Sequence, residues 1–220
     1  MGSVKAVIFD LDDTLIYSGI NYYGVKASVI RFLVEVGVDS NAISENMPNL
    51  EIIRAAVKDL RSKGMSEIEI KRVLNHVDSI MDRAEIDSLG NARLREDSLE
   101  VLKSLKERGL KIGIITNGCR DYATRVIEMF SLNSYVDVLV ARDDVINQKP
   151  SPEPLLKALK ILGFSAGEII FVGDHWIDAL CAERAGVKFI LLQNKRWNFE
   201  GLRIRAMAVI EDLRDIVRLL

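Results

Sequence analysis

The chain has 220 residues, of which 49% are hydrophobic and 28% charged, with a net charge of −2. These proportions describe a folded chain with room for one sizeable core and a smaller accessory domain, and they exclude a disordered or fibrous protein. With no Lys/Arg-rich block and no apolar run near bilayer length, neither nucleic acid nor a membrane is expected as partner.

The first apolar run, residues 4–10, reads as a strand with no signal-like stretch before it, and Ala6 stands where myristoylation would want Ser or Thr. Residues 17–91 hold no convincing strand. Instead Val25, Val29, Phe32, Leu33 and Val36 form one apolar stripe; Leu50, Ile53, Val57 and Leu60 form a second. Ile70, Val73, Leu74, Val77, Ile80, Met81 and Ala84 form a third, entered through Ser66 and Glu69 at capping-box spacing. Three single-stripe helices can bury those stripes against each other, so an inserted helical domain is expected.

After residue 91 short Val/Ile/Phe-rich runs alternate with amphipathic segments, the pattern of a parallel sheet covered by helices. Strands are expected at 111–116, 136–141, 169–173, 188–192 and, more weakly, 208–210. Helices are expected at 97–108, 120–130, 152–162 and 177–185. Cys119 and Cys181 lack CxxC spacing, so neither a disulfide framework nor a zinc site is indicated, and both read as small buried side chains in a reducing cytoplasm.

The chemistry-bearing residues follow strands. Asp10 and Asp12 close the first strand in Asp10-Leu11-Asp12-Asp13-Thr14; two apart in an extended stretch, both face the crevice beyond the strand ends, where open α/β sheets bind ligands. Thr116-Asn117-Gly118 follows the second strand and offers a hydroxyl and backbone N–H groups to an anion, or is an ordinary Asn-Gly turn. Lys149-Pro150 follows the third, as a phosphate-neutralising lysine or a solvated loop residue. Gly173-Asp174-His175-Trp176-Ile177-Asp178 puts two acids four residues apart after the fourth. Two charges about 4 Å apart repel by about 4 kcal/mol at an effective dielectric near 20. A hard divalent cation resolves that repulsion, and an oxygen-only donor set points to Mg2+ rather than zinc.

The ordered set Asp10-x-Asp12-x-Thr14, Thr116-Asn117-Gly118, Lys149-Pro150 and Gly173-Asp174-x-x-x-Asp178 resembles the haloacid dehalogenase-like hydrolase superfamily. The likeness spans the chain, because the helices of 17–91 resemble that superfamily's inserted cap. It implies a three-layer, doubly wound, mostly parallel Rossmann-like α/β core of residues 1–16 and 92–220 with an all-helical cap of 17–91. It also implies a magnesium-dependent phosphatase for a small phosphorylated metabolite. Asp10 is then the nucleophile that becomes an aspartyl phosphate, and Asp12 the acid–base partner. Thr116, the Asn117 backbone and Gly118 hold phosphoryl oxygens and Lys149 neutralises them. Mg2+ is bound by Asp10, the backbone carbonyl of Asp12 and Asp174, while Asp178 orders a water on the metal or pairs with Lys149. Asp13 stands where the family has Gly or Asp and carries no chemistry.

Alternatives stay open within this resemblance. A dehalogenase lacks the acid that Asp12 supplies, a sugar phosphomutase keeps both aspartates, and a non-catalytic phospho-ligand binder would lose an acid or the lysine that this chain retains. No GxxxxGK[ST] or GxGxxG loop occurs. The substrate is not identified. His175 is expected beside the metal carboxylate or at the surface, Trp176 in core packing at the helix start or as a wall of the pocket, and Tyr22 and Tyr23 where family members often contact substrate. Arg54, Lys58 and Arg61 form either a solvated face or a contact for an anionic tail. Cap helices often make dimer contacts in this family, so a homodimer stays open.

Overall fold

In the computed structural model, which describes residues 4–193 and 206–220, the chain divides into two units, Met1–Ser18 with Asn91–Leu220, and Gly19–Gly90. In the first unit β1 (Ala6–Phe9), β4 (Lys111–Ile115), β5 (Val138–Val140), β6 (Ile169–Gly173), β7 (Lys188–Leu192) and β8 (Ala208–Ile210) form one sheet in the order β5-β4-β1-β6-β7-β8. Every pairing in it is parallel. Strands added after β1 go first to one side and then to the other, so the topological switch point flanks β1.

Continuous apolar runs make these strands, because both faces of a parallel sheet are buried. Ala6 and Ile8 pack with Ile115, Val140, Phe171 and Phe189 against α6 (Glu153–Leu162) and α7 (Trp176–Ala185). Val7, Phe9, Ile112 and Ile114 alternate onto the opposite face and are fully buried. Helix α4 (Ser98–Glu107) packs on β4 and on α8 (Arg214–Leu219), and α5 (Arg120–Met129) follows β4 in the chain. A two-strand antiparallel ladder, β2 (Ile16–Tyr17) with β3 (Arg93–Leu94), draws together the two chain segments on either side of the second unit.

The second unit holds α1 (Tyr22–Glu35), α2 (Asn49–Ser62) and α3 (Glu67–Ser88). Its core gathers Val29 and Leu33 from α1, Ile52, Ala56 and Leu60 from α2, and Ile70, Val73 and Val77 from α3. Burying an aliphatic side chain of this size contributes about 1.5–3 kcal/mol. The buried line of α2 runs through Ile52, Ala56 and Leu60. Ile53 and Val57 lie at its flank, so the face is rotated from the expected stripe. At the start of α3, Ser66 N–H donates to Glu69 at 2.9 Å and Glu69 N–H donates to the Ser66 hydroxyl at 3.3 Å, which completes the expected capping box. Within the basic stripe, Arg61 is engaged by Glu67 at 2.6 and 2.9 Å. Among the described residues no helix is long and apolar enough to cross a membrane, and Cys119 and Cys181 are both buried.

Candidate active site

Asp10 extends the ladder one residue past β1, its N–H donating to the Val172 carbonyl at 2.8 Å. The chain then leaves the sheet in a tight loop closed by Leu15 N–H on the Leu11 carbonyl at 2.9 Å. Asp13 takes φ 59°, the left-handed region that short polar side chains tolerate, which accounts for an Asp at a position where Gly would also serve.

Asp10, Asp174 and Asp178 converge: each offers a carboxylate oxygen, and these lie within 4.8 Å of one another. All three side chains are buried, as are Thr14, Thr116 and Lys149. Lys149 is drawn into the cluster, its Nζ 2.5 Å from Oδ1 of Asp10 and 2.7 Å from Oδ1 of Asp178. The solvated-loop alternative for Lys149 is thereby overturned; the lysine is 4% exposed. Thr14 Oγ1 lies 3.4 Å from carboxylate oxygens of both Asp10 and Asp174, bridging the ends of β1 and β6.

Two local devices hold this arrangement. The Asn117 side chain accepts from Lys149 N–H and donates to the Lys149 carbonyl, both at 3.0 Å, so its amide zips the lysine loop to the end of β4. On the other side, Asp178 Oδ2 accepts from His175 N–H at 3.1 Å in the first turn of α7, where the helix dipole favours a negative charge. A Cβ on Gly173 would meet Cβ, Cγ and Oδ2 of Asp178 at 2.7 Å, so only glycine lets the carboxylate lie this close to the strand end. His175 serves as N-cap of α7, its Nδ1 accepting from Ile177 N–H at 3.4 Å, and Trp176 is the half-buried first residue of the helix.

Asp12 stands apart from that carboxylate set. Its Oδ2 accepts from Thr116 Oγ1 at 3.1 Å and its Oδ1 from Tyr122 Oη at 2.7 Å. Thr116 in turn accepts from Gly118 N–H at 2.9 Å, so the Gly118 amide and the Thr116 hydroxyl, both expected to face a phosphoryl group, are here joined to each other and to Asp12. Tyr122 went unread in the sequence. It falls on the apolar face of α5 like any core aromatic, and only the approach of α5 to the β1 loop turns its hydroxyl to use.

Burial pushes the Asp10 carboxyl well above its usual range; Lys149 pulls it down, and Asp178, Asp174 and Asp12 push it further up. For Lys149 burial alone would lower the pKa, but Asp10 and Asp178 more than reverse this and hold it charged. Three clustered carboxylates against one ammonium leave a formal −2 in a buried site. All donors are hard oxygens, so the set fits Mg2+ in both charge and ligand chemistry. Cys181 has its thiol pushed up to about 12 by burial and takes no part.

Comparison with known proteins agrees with this architecture. Residues 7–192 match the family model described as haloacid dehalogenase-like hydrolase. The pyrophosphatase PpaX of Bacillus cereus is 36% identical over 206 residues, covering 90% of this chain and 86% of the relative. The pyrophosphatase PpaX of Bacillus pumilus is 30% identical over 211 residues, with the same coverage of 90% and 86%. Among solved structures, a HAD-superfamily hydrolase of subfamily IA from Geobacter sulfurreducens superposes with a TM-score of 0.61 at 27% identity, covering 100% of this chain and 97% of that one.

Proposed function

This chain belongs to the haloacid dehalogenase-like hydrolase family, and from that premise we propose that it is a magnesium-dependent phosphatase whose nucleophile is Asp10 and whose acid–base group is Asp12. The observation that carries the reading is the buried Lys149 shared by Asp10 and Asp178, beside Asp174 and within hydrogen-bond reach of both partners.

Asp10, Asp174 and the backbone carbonyl of Asp12 would hold Mg2+, with Asp178 ordering a water on it, and the ion would supply charge neutralisation for a phosphoryl dianion entering an acidic site. Lys149 favours the Asp10 carboxylate against the opposing effect of burial and aims it, so that one Asp10 oxygen attacks phosphorus while the P–O bond to the leaving group breaks. Asp12 gives its proton to the departing oxygen, then takes one from the water that cleaves the acyl phosphate and restores Asp10. Thr116 turns its hydroxyl from Asp12 to a phosphoryl oxygen when substrate enters, joined by the Asn117 and Gly118 backbone. Asp178 holds Lys149 in place through both steps.

The substrate is a small phosphorylated compound. Because relatives along most of this chain bear the name pyrophosphatase PpaX, inorganic pyrophosphate heads the panel to be assayed, together with sugar, nucleotide and short-acid phosphate monoesters. Release of phosphate that needs Mg2+ and ceases with EDTA supports the reading. Isomerised sugar phosphates in place of free phosphate would instead make the protein a mutase.

A further inference from the structure

We infer that Tyr122 is the positioning residue that holds Asp12 in its proton-transfer orientation while Thr116 is occupied with the phosphoryl group; this rests on the reading of Asp12 as the acid–base residue. Asp12 lies in a loop beyond the end of β1, half-buried. Two hydroxyls pin it, one on each oxygen: Thr116 Oγ1 at 3.1 Å and Tyr122 Oη at 2.7 Å. They are not equivalent. Thr116 has a single hydroxyl hydrogen, and its oxygen already accepts from Gly118 N–H. When that hydrogen turns to a phosphoryl oxygen, Thr116 lets go of Asp12.

Tyr122 is held differently. It stands in the first turn of α5, fully buried, and a helix places a side chain more firmly than a loop does. Its ring lies against the Gly118 backbone: a Cβ there would sit 3.0 Å from Tyr122 Cδ1 and 3.4 Å from Cε1. Glycine at 118 therefore lets the ring reach in far enough for its hydroxyl to meet Asp12. As the P–O bond breaks, the proton passes from Asp12 to the leaving oxygen and Tyr122 keeps its own, donating to the carboxylate that results.

The test compares kcat/KM for p-nitrophenyl phosphate, whose leaving group departs without a proton, with that for a primary alkyl phosphate, whose leaving group needs one. Asp12→Asn is expected to lose ~10²–10⁴ on the alkyl ester and far less on the aryl ester. Tyr122→Phe keeps the ring and its packing, so it should fold and melt close to the wild type. It is expected to lose about 10-fold on the alkyl ester and less than about 3-fold on the aryl ester, a part of the full acid–base effect. The double variant should be no slower than Asp12→Asn, since Tyr122 acts through Asp12. Equal losses on both esters, no loss on either, or additive losses in the double variant would each overturn the role of Tyr122. An Asp12→Asn enzyme with no dependence on the leaving group would instead remove the acid–base reading beneath it.

Discussion

The ammonium of Lys149 lies 2.7 Å from Oδ1 of Asp178, with 3% and 1% of the two side chains exposed. Removing one member of such a pair leaves the other buried and unpaired, which typically costs ~3–5 kcal/mol. Lys149→Met should therefore lower stability in urea unfolding as well as kcat, the latter by roughly 10²–10³ as for loss of an electrostatic stabiliser. Adding Asp178→Asn should recover part of the stability and none of the activity. A Lys149→Met protein as stable as the wild type without Mg2+ would contradict the pairing.

Gly173→Ala tests the close approach of the β6 end to Asp178. The new Cβ would meet that side chain at 2.7 Å, forcing Asp178 and the lysine paired with it to shift. Overpacking of this kind costs ~1–3 kcal/mol, while displacing a reacting group by about 1 Å costs ~10² in rate. Steady-state kinetics beside a thermal melt should show the larger effect on kcat. Wild-type kinetics would mean that Asp178 tolerates the displacement and is not held in register for catalysis.

Mg2+ should stabilise the protein as well as activate it. Asp10 is pushed well above its ordinary range by burial and by its acidic neighbours, and a cation that binds only the folded state adds stability with its concentration. Melting temperature should rise on titration with Mg2+ in wild type, and rise much less in Asp174→Asn. An identical rise in both would place the ion elsewhere.

Away from the site, Asp137 ties the start of β4 to α4. It accepts from Lys106 at 2.8 Å, Lys111 at 2.9 Å and the Ile112 N–H at 2.8 Å. Burial alone would raise its pKa, but the two lysines and the amide more than offset this and hold it below the usual range. A depressed folded pKa means that the unfolded chain binds the proton first. The stabilisation is complete above the ordinary aspartate pKa of about 3.9 and fades as pH falls through the folded value. Urea unfolding should show wild type exceeding Asp137→Asn at pH 6, with the gap closing below pH 4. A gap that stays constant with pH would contradict the charge pairing.

Much of this was legible in the sequence, for physical reasons. Continuous Val/Ile runs separated by amphipathic segments admit few packings besides a covered parallel sheet, and motif residues placed just after strands must meet where strand ends meet. Asp10, Lys149, Asp174 and Asp178 come together accordingly. What stayed hidden depends on tertiary approach. The Asn117 amide closes on Lys149 across 32 positions of chain, the Tyr122 hydroxyl reaches Asp12 across 110, and no local pattern encodes either meeting. The rotated face of α2 was hidden likewise, since Ile52, Ile53, Ala56 and Val57 are all apolar and the neighbouring helices decide which are covered.

The central claim is that Asp10 carries the phosphoryl group, and the direct measurement is to trap it there. Enzyme turning over its best substrate with Mg2+ is quenched in acid, reduced with borohydride, digested and sequenced by mass spectrometry. An acyl phosphate on Asp10 is reduced to homoserine, so the peptide that contains position 10 should carry homoserine there in the wild type and not in Asp10→Asn, which should be inactive. Steady turnover with an unmodified Asp10 peptide, together with an Asp10→Asn variant that keeps more than about a tenth of wild-type kcat when loss of acid–base help alone costs ~10²–10⁴, would contradict the account and require another nucleophile.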